Sequence, residues 1–177
     1  LSLWPDTPAF EALLEMTRRS IHHLGVVDGG RLVAVVSSHD MVLAEGAHPL
    51  ALARAIEGEG SLDGLAATAS RLTGVVRWLV AGGSSASEVG RLIAELNDRV
   101  VARAAELVER ALEAEGHGRP PVPSSWLAAG SEARREQTLR TDQDNGLVYA
   151  DAAPEMAATA AQYFGLLAAH MGAALAA

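Results

Sequence analysis

Cysteine is absent from the 177 residues, and only 4% of them are aromatic. The first absence excludes disulfide staples, thiolate zinc sites and cysteine nucleophiles, and it suits a cytoplasmic protein. The second, set against a hydrophobic fraction of 49%, leaves a core of Ala, Leu and Val, a composition that favours closely packed helices. Cations are scarce as well: 14 Lys and Arg against 22 Asp and Glu give a formal net charge of −8. That balance argues against a surface that coats nucleic acid, while leaving room for a local patch that holds one nucleotide. No apolar run approaches the ~18–20 residues that span a bilayer, and no charged-then-apolar leader opens the chain. The six histidines form no HxxxH or HxH pair with acidic support, so a zinc site is not expected. The chain opens on Leu1 rather than Met and ends in AALAA directly after a helical pattern, so it reads as a fragment.

What is present falls into three parts. Residues 8–20 (PAFEALLEMTRRS) space their apolar positions for one helical face, with Thr7 as N-cap and Pro8 at the first helical position. HHLGVVD and RLVAVVSS follow as two strands around a Gly29-Gly30 hairpin, and HDMVLAE resumes a helical pattern that Gly46 ends. This unit is too small to bury its sheet alone. Residues 49–116 are helical in pattern: a segment near 49–57, another over 62–80, and a long one over about 87–115, with glycines at the breaks. In the long segment Val89, Leu92, Ile93, Leu96, Val100, Ala104, Leu107, Val108 and Leu112 advance by three and four, which predicts one buried side. Glu95 with Arg99 and Glu106 with Arg110 are expected to be solvated i to i+4 pairs of small energetic value. The proline-rich HGRPPVP is a linker. Beyond it lie a short apolar run at 126–129, a second at 145–149, and a long apolar helix over 154–174.

Between those two short runs stands GSEARREQTLRTDQDN, the most polar stretch of the chain. If Asp142 opens the strand that continues through Tyr149, then Asp142 and Asp144 project from one face, since side chains two apart on a strand share a side. Their repulsion would be relieved by a hard divalent cation, and Mg²⁺, which takes a few carboxylates plus substrate phosphate oxygens, suits the pair. Upstream, the amides of the Gly130-Ser131 turn, the Ser131 hydroxyl and a helix N-terminus can receive phosphate oxygens. Of Arg134 and Arg135, one is near enough to touch phosphate while the other forms a structural ion pair. Taken singly, an Asp-x-Asp is better read as a surface cluster; the combination points to triphosphate handling. Ser131 has no adjacent base, so a hydrolase triad is not expected.

Gly130-Ser131, ten residues, then Asp142-x-Asp144 resembles the signature of the polymerase-β-type nucleotidyltransferase superfamily. The fuller run GSEARREQTLRTDQDNGLVYAD resembles the CBS-linked nucleotidyltransferase family, which is related to protein-PII uridylyltransferases. HHLGVVDGGRLVAVVSSHDMVLAEGAHPLALARAI resembles the end of that family's CBS pair and the entry to its connector. The resemblance implies an α+β, mostly helical fold: a single CBS motif over 1–46, a helical connector over 47–118, and the N-terminal part of a nucleotidyltransferase domain over 119–177. It implies that Gly130 and Ser131 hold nucleotide phosphates and that Asp142 and Asp144 bind two Mg²⁺ ions, one serving the acceptor hydroxyl and one the leaving pyrophosphate. It also implies UTP or ATP as donor and a PII-like protein among possible acceptors. Ala133 departs from the family's glycine without removing a ligand. The superfamily's third carboxylate has no good counterpart in Asp151 or Glu155, so the fragment is expected to be inactive alone. Tyr149 and Tyr163 are read as packing residues.

In nucleotide-binding CBS pairs a Ser or Thr followed by Asp after the third strand contacts phosphate and ribose. Ser37, Ser38 and Asp40 match that pattern, with His22 and His23 bordering the base. Equally, Asp40 could cap a helix and the histidines could be satisfied at a strand edge. Two functions follow: a signal-transduction nucleotidyltransferase regulated through its CBS motif, or a non-catalytic nucleotide-binding module. An unpaired CBS motif exposes apolar surface, so a homodimer is expected.

Overall fold

A computed structural model describes residues 2–38, 49–81, 83–136 and 144–176. The chain is mostly helical, with two small sheets. Strand β1 (Ser2–Leu3) runs parallel to β2 (His23–Asp28), which pairs antiparallel with β3 (Arg31–Ser37). The predicted hairpin is present: Asp28 faces Arg31, and Gly29 (φ 55°) and Gly30 (φ 79°) both take the left-handed conformation of a two-residue turn that matches strand twist. A bulge between Val26 and Val27 interrupts the ladder.

Helix α1 (Ala9–Arg19) covers this sheet and buries Ala12 and Met16 against Leu24 of β2 and Leu50 of the following helix. Its start differs from expectation. Pro8 is the N-cap, and Thr7 caps nothing; the Thr7 hydroxyl accepts from the Trp4 N–H at 3.0 Å and closes the turn ahead of the helix. At the other end Ser20 adopts φ 51°, and the Ile21 N–H returns to the Met16 carbonyl at 3.0 Å, which ends the helix as a glycine would. The helical pattern read at 39–45 lies outside the described residues.

The connector consists of α2 (Pro49–Gly58), α3 (Leu62–Ala69), α4 (Leu72–Ala81) and α5 (Ala86–Ala114). The single segment expected over 62–80 is two helices. At the break the Ser70 hydroxyl donates to the Ala67 carbonyl at 2.6 Å, competing with the helical ladder. Helix α5 spans about 43 Å at 1.5 Å per residue. It is opened by a capping box in which the Glu88 N–H donates to Ser85 Oγ at 3.3 Å and the Ser85 N–H to Glu88 Oε2 at 2.7 Å. Its buried face is the predicted one, with Val100 half-buried and Ala94 added. Leu92, Leu96 and Leu112 are inaccessible, each burial contributing roughly 1.5–3 kcal/mol.

Helix α5 also receives the C-terminal part. Strands β4 (Ser124–Ala128) and β5 (Asn145–Tyr149) form an antiparallel pair joined through a four-residue helix, α6 (Gly130–Ala133). Helix α7 (Ala157–Leu175) then packs along α5 through Ala160, Tyr163, Phe164, Leu167 and Met171. Tyr149 stacks on Phe164 at 4.3 Å and Tyr163 meets it edge-on, so both tyrosines pack as expected. The connector core is continuous from Leu14 of α1 to Met171 of α7, so α1, the connector and the C-terminal part share one apolar body. The exposed large apolar residues include Leu32, Val33 and Val35 of β3.

Candidate functional site

Antiparallel pairing sets Ala128 opposite Asn145, and one step further the Ala129 N–H donates to the Asp144 carbonyl at 2.7 Å. The ladder thus carries Asp144 to the level of the Gly130 turn. Gly130 has φ 56°, where an L side chain is strained, and a Cβ there would run into Asp144 Oδ2, with Asp144 Cγ at 3.4 Å. Glycine is therefore required twice over: for its backbone angle and for the approach of the carboxylate. The predicted Gly130-Ser131 turn and Asp144 are brought together. Asp142 lies outside the described residues, and Asp144 stands just ahead of β5 rather than within it.

Behind the turn, the Ala133 N–H donates to the Ala129 carbonyl at 3.2 Å and the Glu136 N–H to the Ser131 carbonyl at 2.9 Å. With only four residues, α6 adds little dipole, so any attraction for phosphate rests on local amides and side chains. Arg134 Nη1 donates to the Gly130 carbonyl at 2.9 Å, and its Nε bonds Glu136 Oε2 at 2.9 Å. Arg135 turns the other way. It has a left-handed backbone (φ 56°), with its N–H on the Glu132 carbonyl at 2.9 Å, and its guanidinium reaches α5: Nη2 to Asp98 Oδ2 at 2.6 Å and Nη1 to Glu95 Oε2 at 3.5 Å. Of the two arginines, Arg135 is the one ion-paired to the connector.

Glu132 faces inward. It is 6% exposed, and its Oε2 has no hydrogen-bond partner among the described residues. Burial, with Asp98 nearby, holds its carboxyl above the usual carboxylate range. Asp98 is also raised, chiefly by burial, with Glu95 adding to the effect and Arg135 opposing it. For Glu132 the folded state binds the proton more tightly than the unfolded chain. Its contribution to stability is therefore fullest below about pH 4.5 and is lost as pH rises through the folded value. Glu132→Gln should accordingly raise Tm at pH 7 relative to the parent, with the gain shrinking toward pH 4. A pH-independent difference would contradict this.

Glu95 corrects a sequence expectation. Its side chain and that of Arg99 are each 13% exposed, so the pair, 3.7 Å apart, is largely removed from water. Glu106 pairs with Arg103 rather than Arg110. Arg99 reaches the Thr17 carbonyl at the end of α1 and the Glu57 carboxylate of α2, and burial lowers its pKa. These long-range partners, 82 and 42 residues away, leave no local pattern in the sequence.

Among the described residues no three His, Cys, Asp or Glu side chains form a metal cage. Asp151 lies past the far end of β5, whose five residues span about 16 Å, and is not brought to the turn. The one described carboxylate at the glycine turn, Asp144, is a hard oxygen donor of the kind Mg²⁺ takes.

A family model described as Putative nucleotidyltransferase DUF294 matches residues 70–177, more than half of the chain. The chain belongs to the DUF294 nucleotidyltransferase family. A CBS-domain model matches residues 1–46. Comparisons with curated proteins and with solved structures give no match.

The DUF294 match takes in α4 and α5 with the polar turn, so the helix that carries Glu95 and Asp98 lies within it. In the CBS part, Ser37 pairs with His23 across β2 and β3, and both stand at the strand ends. Ser38 is 7% exposed; its Oγ lies 2.9 Å from His22 Nδ1, and its N–H donates to the His22 carbonyl at 2.8 Å. His22 is thus satisfied within the strand edge, and His23 is exposed. Asp40 lies outside the described residues. Among the described residues no helix is long and apolar enough to cross a membrane.

Proposed function

We propose that this chain, as part of the full-length protein, serves the transfer of a nucleotidyl group, UMP or AMP, from UTP or ATP to an acceptor hydroxyl, and that the acceptor belongs to a regulatory protein such as a PII-like partner. The reading rests on one observation: the Asp144 carboxylate lies against the α-carbon of Gly130, in a turn whose backbone only glycine adopts without strain. A triphosphate approaching that turn meets backbone amides and the Ser131 side chain on one side and a carboxylate on the other, and Arg134 stands at the rim.

In this reading Asp142 and Asp144 hold two Mg²⁺ ions, which when bound offset the charge of the phosphates. The chain's own part is to bind and orient. Gly130 permits close approach, Ser131 receives a phosphate oxygen, and the ladder from Ala129 to the Asp144 carbonyl fixes the carboxylate opposite. In the transfer, the acceptor oxygen bonds to the α-phosphorus, the bond to the bridging oxygen of the β-phosphate breaks, pyrophosphate leaves and the acceptor proton passes to solvent. The CBS part, with Ser37, Ser38, Asp40 and His23 near an adenosine nucleotide, would bias the connector, and two copies would pair through the exposed β3 face.

The full-length protein incubated with Mg²⁺, α-labelled UTP or ATP and a PII-like acceptor should pass label to the acceptor and release pyrophosphate. Nucleotide binding without label transfer to any hydroxyl acceptor would leave only a binding module.

A further inference from the structure

Glu95 Oε2 is approached by two guanidinium groups from opposite parts of the molecule: Arg18 Nε of α1 at 3.2 Å, and Arg135 Nη1 behind the Gly130 turn at 3.5 Å. The Glu95 side chain is 13% exposed and the two arginine side chains 40% and 41%, so each contact is partly solvated. The contacts are unequal. Arg18 makes a hydrogen bond to that oxygen, whereas Arg135 has its hydrogen bond on Asp98 at 2.6 Å and meets Glu95 at longer range. Each arginine has a second acidic neighbour: Glu15 at 3.6 Å for Arg18, Asp98 for Arg135. Either can give up Glu95 without losing all compensation for its charge.

We propose that Arg135 is a positioning residue for the Gly130 turn and that its grip on α5 is set by competition with Arg18 for the Glu95 carboxylate. The proposal rests on the nucleotidyltransferase reading for its consequence, but not for its geometry. Arg135 ties the turn to the connector through Asp98 and Glu95. Its backbone N–H closes on Glu132, and the next N–H, that of Glu136, closes on Ser131, so its position sets that of the turn. When α1 holds Glu95 through Arg18, Arg135 keeps Asp98 alone at hydrogen-bond distance. Without Arg18 the Glu95 oxygen is released, a neighbouring cation is removed, and Arg135 is drawn more firmly onto α5. The CBS part and the turn are thus linked through one carboxylate shared by two arginines.

The test reads the turn without nucleotide first. Hydrogen exchange at the Ala133, Arg135 and Glu136 amides should accelerate in Arg135→Ala, and also in Arg135→Gly, because glycine relieves the left-handed backbone but cannot replace the guanidinium. Glu95→Gln should accelerate it by about two- to fivefold, the range of a partly exposed ion pair. Arg18→Ala should slow it by a similar factor in the parent and have no effect in the Glu95→Gln background. Mg²⁺·ATP and Mg²⁺·UTP affinities, measured on the same variants, should follow the same order. If Arg135→Gly exchanges like the parent, or Arg18→Ala acts equally with and without Glu95, the clamp and the competition are overturned. If exchange follows the predicted order while the parent binds neither nucleotide, the relay stands and the nucleotidyltransferase reading fails.

Discussion

In the full-length protein Asp144→Asn should reduce Mg²⁺-dependent label transfer by at least about a hundredfold, more than the ~10–100-fold typical of losing a group that merely supports a metal ligand. The substitution keeps the shape of the side chain and the backbone bond from the Ala129 N–H to the Asp144 carbonyl, so the hairpin should stay intact. What it removes is the negative charge beside the turn. A carboxamide is a poor ligand for a hard cation compared with a carboxylate, and it cannot offset the charge of the Mg²⁺ that accompanies a triphosphate. Asp142→Asn should behave in the same way, with Tm unchanged in both. Loss of activity together with a large fall in Tm would assign Asp144 a structural role instead, and transfer at the parent rate would remove the metal assignment.

Gly130→Ala carries the second large effect. Two costs combine: a left-handed backbone at a residue with a Cβ, roughly 1–2 kcal/mol, and displacement of the Asp144 carboxylate, whose Oδ2 occupies the space the methyl needs. In a chain of this size that corresponds to about 2–8 °C in Tm, and nucleotide affinity should fall at least tenfold, about 1.4 kcal/mol, because the carboxylate is pushed out of register with the turn. Gly146→Ala is the control. It lies on the same hairpin, where an added methyl would meet nothing within 4 Å, and it should change neither quantity appreciably. Equal behaviour of the two variants would mean that the contact between Gly130 and Asp144 has no functional weight.

The legibility of these features in the sequence follows the range of the interactions involved. The Gly29-Gly30 hairpin and the buried stripe of α5 were readable because turn chemistry and helical period are local properties, and Leu92, Leu96 and Leu112 are inaccessible as the period predicts. The association of Gly130-Ser131 with Asp144 was readable through motif spacing, but the reason for the glycine was not: it comes from a carboxylate 14 positions later folding back on its α-carbon. Ser70, which divides α3 from α4, gives no warning of the Gly or Pro kind; its effect lies in a hydroxyl bond to the Ala67 carbonyl.

Charge was the least legible. The i to i+4 rule paired Glu95 with Arg99, and the two are indeed neighbours, but the rule concerns one helix and is blind to partners on others. Arg18 lies 77 positions from Glu95, and the Arg135 contact with Asp98 spans 37. Those partners change Glu95 from a solvated side chain into a junction between the CBS part and the polar turn. Glu132 escaped notice for a related reason. A four-residue helix has no period from which an inward position can be read.

Calorimetric titration of Mg²⁺·ATP and Mg²⁺·UTP into the parent protein and into Asp144→Asn tests the central claim most directly. At least one nucleotide should bind the parent in a Mg²⁺-dependent manner and bind the variant at least tenfold more weakly. Equal affinity in parent and variant, or binding unaffected by removal of Mg²⁺, would contradict a phosphate-and-metal site built from the Gly130 turn and Asp144.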